Sequence, residues 1–221
     1  MKPRVASVDP KAAYHRPASD YYGALAGWRA VSYERRRARI LPLLGGRVLD
    51  VGCADGRIAL ALLGDRGTGI DTSAAMLADA RSRAPEARLA RADGEALPFR
   101  DGAFDTALVS HAIWLFPSPT RFFAEARRVL RAGGRLVVVS NQPHYFVARS
   151  VVLATVARGH AEPAPMLHRR AEIEAALLAS GFTSIRTEPF LVLPVPGFAW
   201  LDRTPLKRLG LSFVTTATRP A

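Results

Sequence analysis

Short apolar runs of strand length alternate with segments of helical periodicity through the middle of this chain. Amphipathic or apolar helical spacing occurs at 57–63, 74–83 and 118–130. The runs that predict five strands, each bounded by turn residues, lie at 48–51, 67–71, 87–92, 104–110 and 135–139. This alternation indicates parallel βαβ units in an α/β fold, with helices on both faces of one sheet.

The pattern is less regular towards both ends of the chain. Residues 1–20 are polar with three prolines, which predicts a loose arm, and residues 21–44 have the periodicity of a helical cap. Residues 141–168 contain three histidines and three prolines, and we expect them to form a cap inserted over the carboxyl edge of the sheet. We therefore divide the chain into an arm with cap helices at 1–44 and an α/β domain at 45–221.

The composition is ordinary apart from a large net positive charge. The hydrophobic fraction of 49% and the charged fraction of 23% are ordinary for a globular protein, and the single cysteine fits a reducing cytoplasm. The longest apolar stretch, 146–157, is too short to span a bilayer, so we expect a soluble, cytoplasmic protein. The net charge of +12 comes almost wholly from scattered arginines. We favour GC-rich codon usage as the cause, with an anionic substrate or an acidic partner as the alternative.

The segment from Val48 to Gly56 predicts a ligand-binding loop. It reads Val-Leu-Asp-Val-Gly-Cys-Ala-Asp-Gly, a buried strand followed by glycines that let the backbone turn and approach a ligand closely. Asp71 ends the second predicted strand, and a carboxylate at that place accepts hydrogen bonds from the two hydroxyls of a ribose. The cofactor is therefore expected to contain a ribose.

Two classes of cofactor compete for this loop. A dinucleotide favours Gly-x-Gly-x-x-Gly, but the three matching positions here are Gly52, Ala54 and Arg57. Asp50 and Asp55 would also place negative charge beside a pyrophosphate. S-adenosylmethionine has a ribose, no phosphate and a cationic amino-acid end, so it suits the loop better.

Five ordered motifs resemble those of class I S-adenosylmethionine-dependent methyltransferases, most closely the small-molecule type similar to quinone-biosynthesis methyltransferases. The motifs are Val48–Gly56, Gly69–Ser73, Ala92–Phe99, Phe104–Asp105 and Glu125–Val139. The resemblance implies a bacterial enzyme with a Rossmann-like doubly wound, mostly parallel seven-stranded sheet, an antiparallel last strand and a helical cap. One departure is Ala54, which stands where the family usually has glycine.

The resemblance also implies a role for each matching residue. Asp50 and the loop residues Gly52, Ala54 and Gly56 would hold the methionine end, and Asp71 the ribose hydroxyls. Ser110 and His111, at the end of the fourth strand, would lie under the sulfonium and face the substrate. The residues expected around the adenosine are Thr72, Met76, Asp93, Gly94 and Glu95.

The resulting hypothesis is methyl transfer to a small-molecule metabolite, apolar or partly anionic, with oxygen preferred as acceptor over carbon and nitrogen. His111 is the first candidate for a general base and His144 the second, although methyl transfer does not require one. We expect no metal, no membrane span, and a monomer or homodimer. The alternatives are methylation of a nucleic acid, suggested by the charge, and a non-catalytic protein that binds S-adenosylmethionine.

Overall fold

The structure is a computed structural model that describes residues 26–142, 169–190 and 199–221. Side chains are described from Tyr33 onward in these ranges, except those of residues 199, 202 and 209. His144, the predicted arm at 1–20 and nearly all of the predicted insertion at 141–168 lie outside the described residues.

Seven strands form one sheet in the order β3-β2-β1-β4-β5-β7-β6. The pairs among β1 to β5 are parallel, whereas β7 is antiparallel to both β5 and β6. The strands are β1 (Val48–Val51), β2 (Gly67–Asp71), β3 (Arg88–Arg91), β4 (Phe104–Ser110), β5 (Leu130–Asn141), β6 (Thr183–Phe190) and β7 (Ser212–Thr218). The predicted doubly wound sheet with an antiparallel last strand is confirmed.

Helices cover both faces of this sheet. The described α-helices are α1 (Ala26–Ile40), α2 (Leu60–Leu63), α3 (Ala74–Arg83), α4 (Pro119–Val129) and α5 (Arg170–Ala179). One apolar core joins α1, α2 and α3 to the sheet through Ile40, Leu60 and Leu77, and a second core joins α4 and α5 to the other face. No helix among the described residues is long and apolar enough to cross a membrane.

The clearest differences from the sequence prediction concern the start of α2, the start of β5 and the segment 21–44. The helix expected from Arg57 begins only at Leu60, because Gly56 has a φ of 72° and the chain first completes a turn. Strand β5 begins five residues before Arg135, because Leu130 pairs with Phe104 before the register shifts. The described part of the segment 21–44 is a single α-helix followed by a 3₁₀ turn at Leu41–Leu43, which contains Pro42.

The strand order places a ligand crevice at the carboxyl ends of β1 and β4. The chain order reverses between these two neighbouring strands, and ligands of open α/β sheets bind at such a reversal. The loops that leave the two strands touch, since a Cβ added to Gly52 would lie 2.6 Å from the Cβ of Ala112. The predicted cofactor loop and the end of β4 therefore form one site.

Candidate functional site

The loop after β1 has left-handed backbone at three positions. Gly52, Ala54 and Gly56 have φ angles of 70°, 48° and 72°. The loop turns back onto β2, because the amides of Gly52 and Cys53 both donate to the carbonyl of Ile70, at 2.8 and 3.0 Å. Alanine adopts this conformation only at a steric cost, so Ala54 is a strained position in the loop.

The Asp71 carboxylate joins this loop to the start of α3. Its Oδ2 accepts a hydrogen bond from the amide of Ala54 at 2.9 Å, and its Oδ1 accepts one from the amide of Ser73 at 2.9 Å. Asp71 is thus fixed at the end of β2, between the loop after β1 and the start of α3.

Asp50, on β1, is a buried carboxyl group whose surroundings disfavour its ionised form. Its residue is 2% exposed, and burial followed by the charge of Asp71 raises its pKa to about 7. A cationic group bound nearby would favour the ionised form and lower this pKa. The negative environment around Asp50 and Asp71 therefore favours a cationic ligand and opposes a phosphate.

Asp55, in the same loop, has a structural role. Its fully buried carboxylate accepts a hydrogen bond from Nε of Arg57 at 2.7 Å and pairs with Arg83 at 3.2 Å. The carbonyl of Arg57 in turn accepts a hydrogen bond from Nε of Arg37 on α1, at 2.8 Å. These contacts hold the loop against α1 and α3.

The loop after β3 is tied to the beginning of α4. Asp93 Oδ1 accepts a hydrogen bond from the amide of Glu95 at 3.0 Å, and Glu95 Oε1 accepts one from the amide of Ser118 at 2.7 Å. Gly94 is buried, and a Cβ there would lie 2.6 Å from the ring of Phe116. Gly94 thus lies beside the end of β1, since Val51 is also its neighbour, and Asp93 and Glu95 flank it in the chain.

Two further predicted residues lie at the β2–α3 junction. Met76 is 2% exposed, and its amide donates to the Ser73 hydroxyl that caps α3. Thr72 is half-buried, and its carbonyl accepts a hydrogen bond from Nε of Arg91. Thr72 directly follows Asp71, and Met76 lies in the first turn of α3, so both are in the segment that leaves the carboxyl end of β2.

The end of β4 presents polar atoms that lack protein partners. Ser110 Oγ and both ring nitrogens of His111 are buried and make no hydrogen bond to any described residue. His111 also has left-handed backbone with a φ of 56°, and its amide donates to the carbonyl of Val139 at 2.8 Å. Strained backbone and unpartnered buried polar groups are typical of a ligand-binding position.

His111 is held in its neutral form. Burial, followed by the positive charge of Arg36 on α1, lowers its pKa well below the usual value. Its ring also contacts Trp114 edge to face, with centroids 5.4 Å apart. A neutral imidazole can accept a proton, which a charged one cannot.

Sequence reasoning missed the contribution of α1 to the site. Arg36 is 9% exposed and lies near His111, while Arg37 holds the loop after β1 through the carbonyl of Arg57. The signal was the arginine run at 35–39, whose spacing places some residues on the sheet side of the helix. The side chain of Arg29, an earlier arginine of α1, is not among those described.

The residues of the crevice fit S-adenosylmethionine. Two carboxylates, Asp50 and Asp71, lie close enough for the charge of one to raise the pKa of the other. The glycine-containing loop after β1 lets a ligand come close to the backbone. Ser110 and His111 lie at the end of β4, the strand next to β1. This charge and placement suit a ribose-containing cationic cofactor and not a pyrophosphate.

Comparisons with known proteins agree with this fit. A family model described as a methyltransferase domain matches residues 49–138. A malonyl-[acyl-carrier protein] O-methyltransferase of Geobacter sulfurreducens is 35% identical over 191 residues, covering 78% of this chain and 69% of that protein. A demethylmenaquinone methyltransferase of Thermus thermophilus is 37% identical over 137 residues, covering 58% and 62%.

A solved S-adenosylmethionine-dependent methyltransferase of Thermotoga maritima has the same fold. It superposes with a TM-score of 0.75 at 22% identity, covering 95% of this chain and 99% of that one. The fold and site thus define an α/β enzyme that uses S-adenosylmethionine. The chain belongs to the S-adenosylmethionine-dependent methyltransferases, and quinone-biosynthesis enzymes are among the proteins to which it is similar.

Proposed function

We propose that this methyltransferase transfers the methyl group to an oxygen atom of a small-molecule metabolite bound at the end of β4. The observation that carries the proposal is the group of buried polar atoms on Ser110 and His111, which have no hydrogen-bond partner among the described residues. Buried polar groups are normally satisfied, so a ligand that completes these hydrogen bonds is the simplest explanation. An acceptor hydroxyl or carboxyl group has the matching chemistry.

The proposed cofactor site extends from β1 to β3. Asp50 and the loop residues Gly52, Ala54 and Gly56 hold the methionine end, and the carboxylate of Asp71, which is fixed at the end of β2, binds the ribose hydroxyls. Ser110 and His111, at the end of β4, would complete the site on the side where the acceptor binds. Around the adenosine we place Thr72, Met76, Asp93, Gly94 and Glu95, with Glu95 acting through its hydrogen bond to Ser118.

S-adenosylmethionine, when bound, supplies a methyl group that is already activated as a sulfonium. The protein therefore needs mainly to align the acceptor oxygen with the methyl carbon and to keep water out. His111, which burial holds in its neutral form, would take the acceptor's proton on a ring nitrogen and later give it to solvent. An acceptor that is already ionised needs no such step.

Oxygen is preferred because a relative with wide coverage of this chain is named as an O-methyltransferase. Other relatives are named for nitrogen or carbon transfer, so the acceptor atom varies among similar chains. His144 remains the second candidate base, at a position outside the described residues. It becomes the first candidate if substitution of His111 leaves proton transfer intact.

Calorimetric titration with S-adenosylmethionine and with NAD tests the cofactor site. We expect binding of S-adenosylmethionine alone, and a loss of at least about 100-fold in affinity in Asp71→Ala, since two charge-assisted hydrogen bonds are removed. Asp65→Ala, an exposed carboxylate outside the crevice, is the matched control and should bind normally. Equal affinity in Asp71→Ala and Asp65→Ala would contradict the assignment.

The acceptor atom is tested by following S-adenosylhomocysteine formation with a panel of alcohols, phenols and carboxylic acids. For a hydroxyl acceptor, His111→Ala should lower kcat by about 10²-fold or more, with little change in cofactor affinity. The conservative His111→Gln keeps a hydrogen-bonding side chain and separates lost packing from lost proton transfer. A normal kcat in both variants would overturn the role of His111.

A further inference from the structure

A basic pocket lies away from the cofactor crevice, between α1, the end of β6 and the following 3₁₀ helices. Its volume is about 380 Å³, at the lower end of the range for small-molecule sites. We call it the α1–β6 pocket. It is lined by Arg35, Ala38, Arg39, Glu188, Pro189, Phe190, Arg203 and Lys207.

The α1–β6 pocket carries a large excess of positive charge. Four of its lining side chains are cationic and only Glu188 is anionic. Arg39 pairs with Glu188, yet its Nε is buried without a hydrogen-bond partner among the described residues. Like charges around one cavity repel, so a bound anion would lower the free energy of this arrangement.

The covalently linked segment at 191–198 does not supply a counter-charge. It connects β6 to the 3₁₀ helix at Ala199–Arg203, and its sequence, Leu-Val-Leu-Pro-Val-Pro-Gly-Phe, has no charged residue. Arginine favours phosphate because its planar fork donates two parallel hydrogen bonds. A phosphate monoester, with a charge near −2, matches the excess better than a single carboxylate does.

An exposed aromatic residue adjoins the basic side chains. Trp200 is 57% exposed and precedes Arg203 by three residues in one 3₁₀ helix. Residues at i and i+3 of a 3₁₀ helix lie on the same face, so the indole and the guanidinium share a side. Leu206, 48% exposed, precedes Lys207 in the next 3₁₀ helix, Pro205–Leu209. Each of these two 3₁₀ helices thus carries one exposed apolar side chain together with a cationic side chain of the pocket lining.

From these observations we infer that the α1–β6 pocket binds the phosphate group of an amphiphilic phosphate monoester, whose apolar part lies against Trp200. This is a second ligand site, beyond the methyl transfer proposed above. In the sheet order β4, β5 and β7 separate β1 from β6, which at about 4.8 Å per strand gives roughly 19 Å between the two sites.

Calorimetry with octyl phosphate and with glycerol 3-phosphate tests the inference. We expect both to bind at low ionic strength, and octyl phosphate to bind more tightly because its chain covers Trp200. The double variant Arg203→Ala/Lys207→Ala should lose at least about tenfold in affinity. Arg208→Ala is the control. It removes an exposed charge from the 3₁₀ helix that contains Lys207, but Arg208 does not line the pocket, so this variant should bind as the unchanged protein does.

S-adenosylmethionine affinity should be unchanged in all of these variants, which separates this test from that of the cofactor crevice. Sedimentation with phosphatidic acid vesicles distinguishes a lipid source of the phosphate from a soluble ester. Vesicle binding that is lost in the double variant assigns the same pocket to a lipid headgroup. Equal losses in the double variant and in Arg208→Ala, or no binding of either phosphate by the unchanged protein, would overturn the inference.

Discussion

The cofactor crevice and the α1–β6 pocket lie at the same edge of the sheet but are opposite in charge and exposure. The crevice contains an acidic centre of Asp50, Asp55 and Asp71, in which two carboxyls are almost fully buried. The α1–β6 pocket is basic, and its Arg39 and Glu188 side chains are 40% and 55% exposed. One helix, α1, contributes to both.

The difference shows how a strongly basic protein can contain a site for a cationic cofactor. Net charge is a sum over the surface, whereas the acidic centre acts over a few ångströms in surroundings with little water. Burial strengthens each charge interaction there, and exposure weakens those of the α1–β6 pocket. Matched substitutions in the two regions should therefore have unequal effects.

The largest expected difference is between the two paired carboxylates Asp55 and Glu188. Asp55→Ala leaves Arg57 and Arg83 without their buried partner, and we expect it to lower the free energy of unfolding by about 3–5 kcal/mol. Glu188→Ala breaks an exposed pair with Arg39 and should cost at most about 1 kcal/mol. Urea denaturation of both variants measures the contrast, and equal costs would contradict it.

Packing around the acidic centre should also be intolerant of small additions. Gly94→Ala places a Cβ 2.6 Å from the ring of Phe116, which is itself stacked on Phe122 with centroids 4.7 Å apart. We expect a loss of about 1–3 kcal/mol in the free energy of unfolding.

Gly45→Ala is the control for this substitution, because no atom lies within 4 Å of the added Cβ. Its unfolding free energy should stay within about 0.5 kcal/mol of the original. If both alanines prove equally harmless in thermal and urea denaturation, the wall formed by Gly94 and Phe116 is less rigid than its geometry indicates.

The buried charge of the acidic centre should make cofactor affinity depend on pH. Asp50 has a pKa of about 7 in the free protein, and a cationic ligand favours its ionised form. Binding of S-adenosylmethionine therefore releases a proton below pH 7, and Kd should fall by about tenfold between pH 6 and pH 8. Calorimetry in buffers of different ionisation enthalpy detects the released proton directly.

Asp50→Asn is the control, since it keeps the shape of the side chain and cannot ionise. The Kd of this variant should not change with pH apart from the titration of the ligand itself, and a wild-type profile of the same shape would contradict the prediction.

The raised pKa of Asp50 also has a consequence for stability. Asp50 contributes most to stability below about pH 4, and that contribution is lost as pH rises through 7.

The sheet could be predicted from sequence because its signals are local. Strands β2 and β4 are short segments bounded by turn residues, and their predicted bounds are those observed. The start of α2 was misplaced, because the left-handed Gly56 delays the helix although the apolar spacing begins at Arg57. Periodicity does not report the backbone conformation of a single residue.

For the candidate site, the sequence could predict the position only of residues that end a strand or follow it directly. Asp71 and Ser110 end their strands and His111 follows β4 directly. Ligands of open α/β sheets bind at the carboxyl ends of the strands, so the alternation of strands and helices in the sequence predicts contacts there. Arg36 and the α1–β6 pocket depend instead on how α1 packs against a sheet whose other parts are far away in sequence. A run of five residues rich in arginine does not reveal which side chains meet His111 and which meet Glu188.

The smallest expected effect comes from replacing alanine by glycine, which should raise the free energy of unfolding in the cofactor loop and lower it on α1. Ala54→Gly, in the cofactor loop, removes the strain of a φ of 48° and should raise the free energy of unfolding by about 0.5 kcal/mol, after the added freedom of the unfolded chain is subtracted. Ala38→Gly, on the exposed side of α1, meets no such strain and should lower it by about 0.5–1 kcal/mol. Thermal denaturation of the two variants measures both signs. Destabilisation by Ala54→Gly of the same size as by Ala38→Gly would mean that the left-handed turn at Ala54 carries no strain and accommodates the methyl group without cost.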